Sequence, residues 1–185
     1  MTIPNIITLM RFFLVPCVVF ALIRNHMGWA FTLFLVAGIS DAVDGFIARQ
    51  FDQRSELGAY LDPIADKLLL VCVFVVLGYL GHLPLWLVVT AVSRDALIIG
   101  GVMLATVMGN PVEMKPLFVS KSNTAIQIVL VLVVLAELAS GWSESWLRSA
   151  LVYISAVLTV ASAAAYLVGW LGHMSGYGES ENSGG

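Results

Sequence analysis

The chain has 185 residues, of which 59% are apolar and only 11% charged, with a mean hydropathy of +0.94. A soluble domain carries about 25% charged and about 45–50% apolar residues, so a water-soluble globule of this size could not cover so much hydrocarbon. Nine Lys and Arg against twelve Asp and Glu leave a net charge of −3 with no basic run, which argues against nucleic-acid binding.

One bilayer crossing needs roughly 20 apolar residues. Six apolar segments follow one another, at residues 6–23, 28–48, 61–80, 83–108, 124–141 and 147–171. They are too long for barrel strands, and only helices and closed barrels satisfy the backbone in lipid. The expected fold is an all-α integral membrane protein with six transmembrane helices over residues 1–172 and a flexible polar tail over 173–185. The first segment lacks a basic leader and is long for a signal peptide, so it reads as a retained span. With the N-terminus inside, Arg49, Arg54, Lys115 and Lys121 face the cytoplasm, against Arg24 and Arg148 on the other side. That excess predicts an N-in, C-in topology. Trp29, Trp86, Trp142, Trp146 and Trp170 fall near segment ends, where amphipathic rings anchor at the interface. Cys17 and Cys72 sit within apolar stretches and read as small fillers.

Charges inside the spans carry the chemistry. Asp41 and Asp44 lie in the second segment, three apart; Asp62 and Asp66 lie in the third, four apart. Each pair shares one helix face. The short connection makes the two helices antiparallel neighbours, with both pairs at one membrane depth near the cytoplasmic side. A charge at the centre of a span costs about 2.5–3.5 kcal/mol. Four facing carboxylates stay ionised only around cations, and an all-oxygen ligand set selects Mg²⁺, Mn²⁺ or Ca²⁺. The bland alternative is a set of loop-end acids or ion pairs, with Arg49 and Lys67 as partners for two of them. Gly45, Ala48 and Gly58 lie beside the acids and leave room for a ligand group, although helix packing alone also explains small residues.

The run Asp41-x2-Asp44-Gly45-x2-Ala48-Arg49-x8-Gly58-x3-Asp62-x3-Asp66 resembles the signature of the CDP-alcohol phosphotransferases, with eight matching residues over 26 positions. The resemblance implies a six-helix fold, a homodimer and a site open to the cytoplasm. Asp41, Asp44 and Asp62 would hold two divalent cations, Mg²⁺ or Mn²⁺. Asp66 would complete the metal site and act as the catalytic base. Gly45, Ala48, Arg49, Ser55 and Gly58 would bind the CDP-lipid, and Pro4-Asn5-x2-Thr8 looks like the family's N-terminal nucleotide contact, through Asn5 and Thr8. The implied donor is CDP-diacylglycerol and the product released is CMP. Elementary chemistry agrees: two metals neutralise a pyrophosphate, a guanidinium grips phosphate oxygens, and a carboxylate takes a hydroxyl proton.

Arg94 and Asp95 lie inside the fourth segment. An arginine in lipid is a functional-site candidate by default, and the competing reading is an ion pair. Arg94, Lys115 and Lys121 would form a cationic pocket for a glycerol-containing, phosphorylated acceptor. Glu137 in the fifth segment has no obvious partner. Ser93-Arg94-Asp95, Lys115-Pro116-x-Phe118-x-Ser120-Lys121-x-Asn123-Thr124-Ala125-x-Gln127 and Ala161-Ser162-Ala163-x-Ala165-Tyr166 resemble the cardiolipin synthases of this family. The implied reaction transfers a phosphatidyl group from CDP-diacylglycerol to phosphatidylglycerol, giving cardiolipin and CMP. The alternative is phosphatidylglycerophosphate synthesis, with glycerol-3-phosphate as acceptor. A remote alternative is a small membrane transporter, against which the acids cluster at one face and no inverted repeat is found. A third reading, a membrane scaffold with helix-pairing charges, leaves the 26-residue spacing unexplained. The absence of a transit-like leader points to a bacterial inner membrane.

Overall fold

A computed structural model describes the backbone of residues 3–51, 56–107, 118–142 and 145–181, and side chains over 13–40, 67–101, 118–142 and 146–168. The described residues form six α-helices: α1 (Ile3–Ile23), α2 (Met27–Phe51), α3 (Glu56–Tyr79), α4 (Leu85–Val107), α5 (Phe118–Ser140) and α6 (Ser145–Glu181). Each apolar segment became one helix. α6 runs to Glu181, beyond residue 172 where the apolar pattern ends.

The buried residues recur at helical spacing, as one-sided burial demands. Val15, Val18 and Leu22 line α1; Ala30, Phe34 and Ala37 line α2; Leu70, Val73 and Leu77 line α3. They meet Leu87 and Ala91 of α4, Leu130, Val131, Val134 and Leu135 of α5, and Leu151 and Val152 of α6 in one core. α5 packs on α2, α3 and α6, which makes it the central helix of the second half. α1 packs against both α2 and α3. Among the described residues α2 and α3 each pack more on α1 and on α5 than on one another.

The opposite faces are also apolar. Phe13, Phe20, Ile39, Val89, Leu97, Val157, Val160 and Val168 are all exposed. An outer surface this rich in hydrocarbon suits lipid rather than water. Two 23-residue helical stretches, Phe118–Ser140 and Trp146–Val168, are long and apolar enough to cross a bilayer. The exposed rings of Trp86, Trp142 and Trp146 stand at helix ends.

Two tight turns close helices by the same device. Asn25 takes φ 59° after α1, with His26 N–H donating to Ala21 O at 2.9 Å and Asn25 N–H to Leu22 O at 3.0 Å. Gly81 takes φ 79° after α3, with His82 N–H donating to Leu77 O at 2.8 Å. Both are left-handed helix stops, which glycine and asparagine tolerate best. Beside the second turn, a Cβ on Gly78 would stand 2.7 Å from Val88 Cγ2, so α3 and α4 meet there through the missing side chain. Gly78→Val is expected to destabilise the protein by about 1–3 kcal/mol, the usual cost of overpacking. Thermal unfolding in detergent checks this, and an unchanged midpoint would mean that α4 shifts freely. Cys72 is half-buried against the core, whereas Cys17 lies exposed on α1 rather than filling it; both thiols are free.

Candidate functional site

The acids of the signature ride on helices. Asp41 and Asp44 lie in α2, and Asp62 and Asp66 lie in α3. Three and four residues in an α-helix are about one turn, so each pair shares a helix face. As a donor set, four carboxylates suit a hard divalent cation. Their side chains lie outside the described residues, as do those of Asn5 and Thr8 in α1, Gly45, Ala48 and Arg49 in α2, and Gly58 in α3. Ser55 and Lys115 lie outside the described residues altogether. Among the described residues no group of three or more His, Cys, Asp or Glu gathers.

One residue beyond Asp66 the structure shows a built charged cluster. Lys67 Nζ of α3 lies 3.0 Å from Asp95 Oδ1 of α4. Arg94 Nη1 donates to the same oxygen at 2.6 Å. Arg94 Nε and Nη2 donate to Ser162 Oγ of α6 at 3.1 and 2.5 Å, and Nη2 also donates to Ser120 Oγ of α5 at 2.6 Å. The Tyr166 ring lies 6.0 Å from the guanidinium carbon. One arginine thus joins α4, α5 and α6, while Asp95 adds α3. Arg94 is only 2% exposed and Asp95 5%. Among the described residues two cations share one carboxylate, so these three side chains together carry a net positive charge.

This geometry decides two points about pairing. Lys67 pairs with Asp95 among the described residues; whether it also meets a signature acid falls outside them. The Arg94–Asp95 ion pair is made, and it occupies the guanidinium together with two serine hydroxyls. Lys121 is exposed on α5, one residue from Ser120, at the same end of the bundle as Arg94.

From the cluster a buried polar seam runs between α5 and α6. Thr159 Oγ1 donates to Asn123 Oδ1 at 3.0 Å, or alternatively to Ser155 O at 2.7 Å. The antiparallel register places Gln127 and Ser155 at the next level. All four side chains are at most 2% exposed. Asn123 Nδ2, Gln127 Nε2 and Ser155 Oγ find no hydrogen-bond partner among the described residues. No role was read for this seam from the sequence. The signal was present: polar residues at 120, 123 and 127, and at 155, 159 and 162, repeat at helical spacing inside apolar helices. At the other end of α5, Glu137 faces Arg148 of α6, with Oε2 3.7 Å from Nη1. That is the partner its own segment did not reveal.

A helical bundle with a hydrocarbon exterior and its described charges gathered toward the helix ends defines a membrane-associated protein. The chain matches the CDP-alcohol phosphatidyltransferase family over residues 1–161 and belongs to that family. It is 35% identical over 181 residues to human cardiolipin synthase (CMP-forming), covering 89% of this chain and 60% of that protein. It is 34% identical over 182 residues to a Schizosaccharomyces pombe cardiolipin synthase (CMP-forming)/mitochondrial hydrolase fusion protein, covering 90% of this chain and 31% of the fusion. It is also 31% identical over 184 residues to the chloroplastic CDP-diacylglycerol–glycerol-3-phosphate 3-phosphatidyltransferase 1 of Oryza sativa, covering 90% of this chain and 56% of that protein. The chain therefore spans less than two thirds of the length of these relatives.

Proposed function

We propose that the protein is a cardiolipin synthase. It would transfer a phosphatidyl group from CDP-diacylglycerol to a glycerol hydroxyl of phosphatidylglycerol, giving cardiolipin and CMP. The observation that carries the reading is the family match over residues 1–161, which contains the whole Asp41–Asp66 signature. The cardiolipin synthases among its relatives support the acceptor. The rice relative, a glycerol-3-phosphate 3-phosphatidyltransferase, favours a second reading in which glycerol-3-phosphate is the acceptor.

In this proposal residues 1–172 form a six-span membrane domain with both termini in the cytoplasm, and residues 173–185 form a polar tail. The protein works as a homodimer in a bacterial inner membrane with its site facing the cytoplasm. Asp41, Asp44, Asp62 and Asp66 hold two divalent cations, Mg²⁺ or Mn²⁺, which neutralise the pyrophosphate and the charge developing at phosphorus. Asn5, Thr8, Gly45, Ala48, Arg49, Ser55 and Gly58 seat the CDP-lipid. The acceptor oxygen forms a bond to the phosphorus of the phosphatidyl group, and the bond from that phosphorus to the CMP oxygen breaks. Asp66 takes the hydroxyl proton. CMP leaves with the electron pair of the broken bond.

Lys115, Lys121 and Arg94 supply the positive field that draws a phosphorylated acceptor. Lys67 adds to that field, because Asp95 balances only one of the two cations beside it. Arg94 acts from a buried position, through its charge and through the placement of α5 and α6.

The test is CMP release from purified protein with Mg²⁺ or Mn²⁺, CDP-diacylglycerol and one acceptor at a time. Release with phosphatidylglycerol and not with glycerol-3-phosphate is expected. The opposite preference would select the second reading. No release with either acceptor, from folded protein and both metals, would overturn the transferase assignment.

A further inference from the structure

At the end of the bundle away from Arg94, the α3–α4 turn and the start of α6 line an open cavity of about 430 Å³. That volume lies within the roughly 300–1,000 Å³ of small-molecule sites. His82, Pro84, Trp86, Arg148, Ser149 and Tyr153 are among its walls. Arg148 is fourteen residues from Ser162 along α6, or about 21 Å at 1.5 Å per residue. The cavity is therefore separate from the charged cluster beside the signature acids.

We propose that this cavity binds the phosphodiester of a membrane phospholipid. Arg148 is its cation, with a side chain 31% exposed. The guanidinium is pinned by donating one N–H to the His82 carbonyl. Among the described residues its ion-pair partner is Glu137, which is only 11% exposed, does not line the cavity and stands 3.7 Å away, too far for a hydrogen bond. A guanidinium has five N–H donors in a flat fork, the geometry that phosphate oxygens accept in pairs. The remaining Arg148 donors have no hydrogen-bond partner among the described residues. The Ser149 hydroxyl and the His82 ring add neutral donors. Burial, and then the neighbouring Arg148 charge, push the His82 imidazole below its ordinary pKa range.

The surroundings select a lipid over free phosphate. Trp86 and Tyr153, 50% and 67% exposed, flank the opening with amphipathic rings of the kind that sit at head-group level. Along the same two helices, exposed Val89 of α4 and exposed Val157 and Val160 of α6 continue the surface with hydrocarbon. Acyl chains would lie on that strip, and a free phosphate would gain nothing from it.

The experiment uses the full chain in maltoside micelles with a phosphatidylglycerol carrying a diazirine on its head-group glycerol. After illumination, label is mapped by peptide mass spectrometry, which separates this site from any label near the signature acids and needs no turnover. Label at Trp86 or Tyr153 is expected. Excess unlabelled phosphatidylglycerol should displace it at least tenfold, and the same concentration of glycerol-3-phosphate should leave it. Arg148→Gln should cut labelling at least tenfold, with Arg148→Lys retaining part. Absence of label at this site in the wild-type chain would overturn the proposal, and that measurement does not depend on the variant folding. Equal displacement by glycerol-3-phosphate, or full labelling of a folded Arg148→Gln protein, would also overturn it.

Discussion

Asp66→Asn is expected to lower turnover by roughly 10²–10⁴-fold, the range that a positioned general base supplies. Asparagine has nearly the shape of aspartate but cannot accept the acceptor's proton at neutral pH. The helix that carries it, α3, extends to Tyr79 and is held by a core at Leu69, Leu70, Val73 and Leu77, which begins three residues away. The variant should therefore fold, with an unchanged melting midpoint. CMP release against cation concentration separates the two proposed duties of Asp66. A lost metal ligand is recovered by more Mg²⁺ or Mn²⁺, and a lost base is not. Retention of most activity at ordinary cation concentration would place the base elsewhere.

Arg94→Ala should carry the largest stability cost among single changes at the charged cluster. It removes the hydrogen bonds to Ser120 and Ser162 and leaves the buried Asp95 carboxylate with Lys67 alone. Breaking a buried ion pair by removing one partner costs about 3–5 kcal/mol, because the remaining charge keeps its desolvation penalty. Arg94→Met with Asp95→Leu should recover most of that loss, since a buried pair exchanged for apolar groups of similar size is often close to neutral. Unfolding of the purified variants reads both. A single variant as stable as the wild type would mean that water reaches Asp95 freely. Arg94→Lys then tests the acceptor field: it keeps the charge but not the fork. If Arg94 acts through its charge, KM for the acceptor stays near the wild-type value in Arg94→Lys, whereas in Arg94→Met it rises while KM for CDP-diacylglycerol does not. If KM for the acceptor is unchanged in Arg94→Met, Arg94 serves packing alone.

Much of the helix pattern was legible because long apolar runs have few alternatives in lipid. Residues 28–48 and 61–80 were expected as segments; α2 runs over Met27–Phe51, longer at both ends, and α3 over Glu56–Tyr79, longer at its start. The ends moved because polar residues such as Gln50 and Glu56 still extend a helix once it has started; nucleation is the costly step. α6 shows the same effect more strongly, since backbone hydrogen bonding carries it to Glu181 past the last apolar stretch. The signature acids stand out in the sequence as candidates because ionisable side chains inside apolar runs need a reason, and their side chains lie outside the described residues.

Partners across helices were not legible. Glu137 and Arg148 are eleven residues apart on different helices, and only the antiparallel register of α5 and α6 brings them within 3.7 Å. Lys67 of α3 meets Asp95 of α4, twenty-eight residues on in the chain, and only the packing of the two helices brings them together. The Arg94–Asp95 pair was legible, because adjacent residues can meet without help from the fold. That the same guanidinium also reaches Ser120 and Ser162 was not.

By itself the amino-acid order determined the class of solvent this chain meets, the number of its helices and the spacing of carboxylates that marks its family. These are local or compositional properties, set by which side chains hydrocarbon tolerates and by the 3.6-residue helical period. The tertiary structure alone decided that α1 packs against both α2 and α3, that Arg94 ties three helices together, and that Arg148 stands at the wall of a pocket. Each depends on which helix faces align and at what register, and that is a property of packing between segments far apart in the chain.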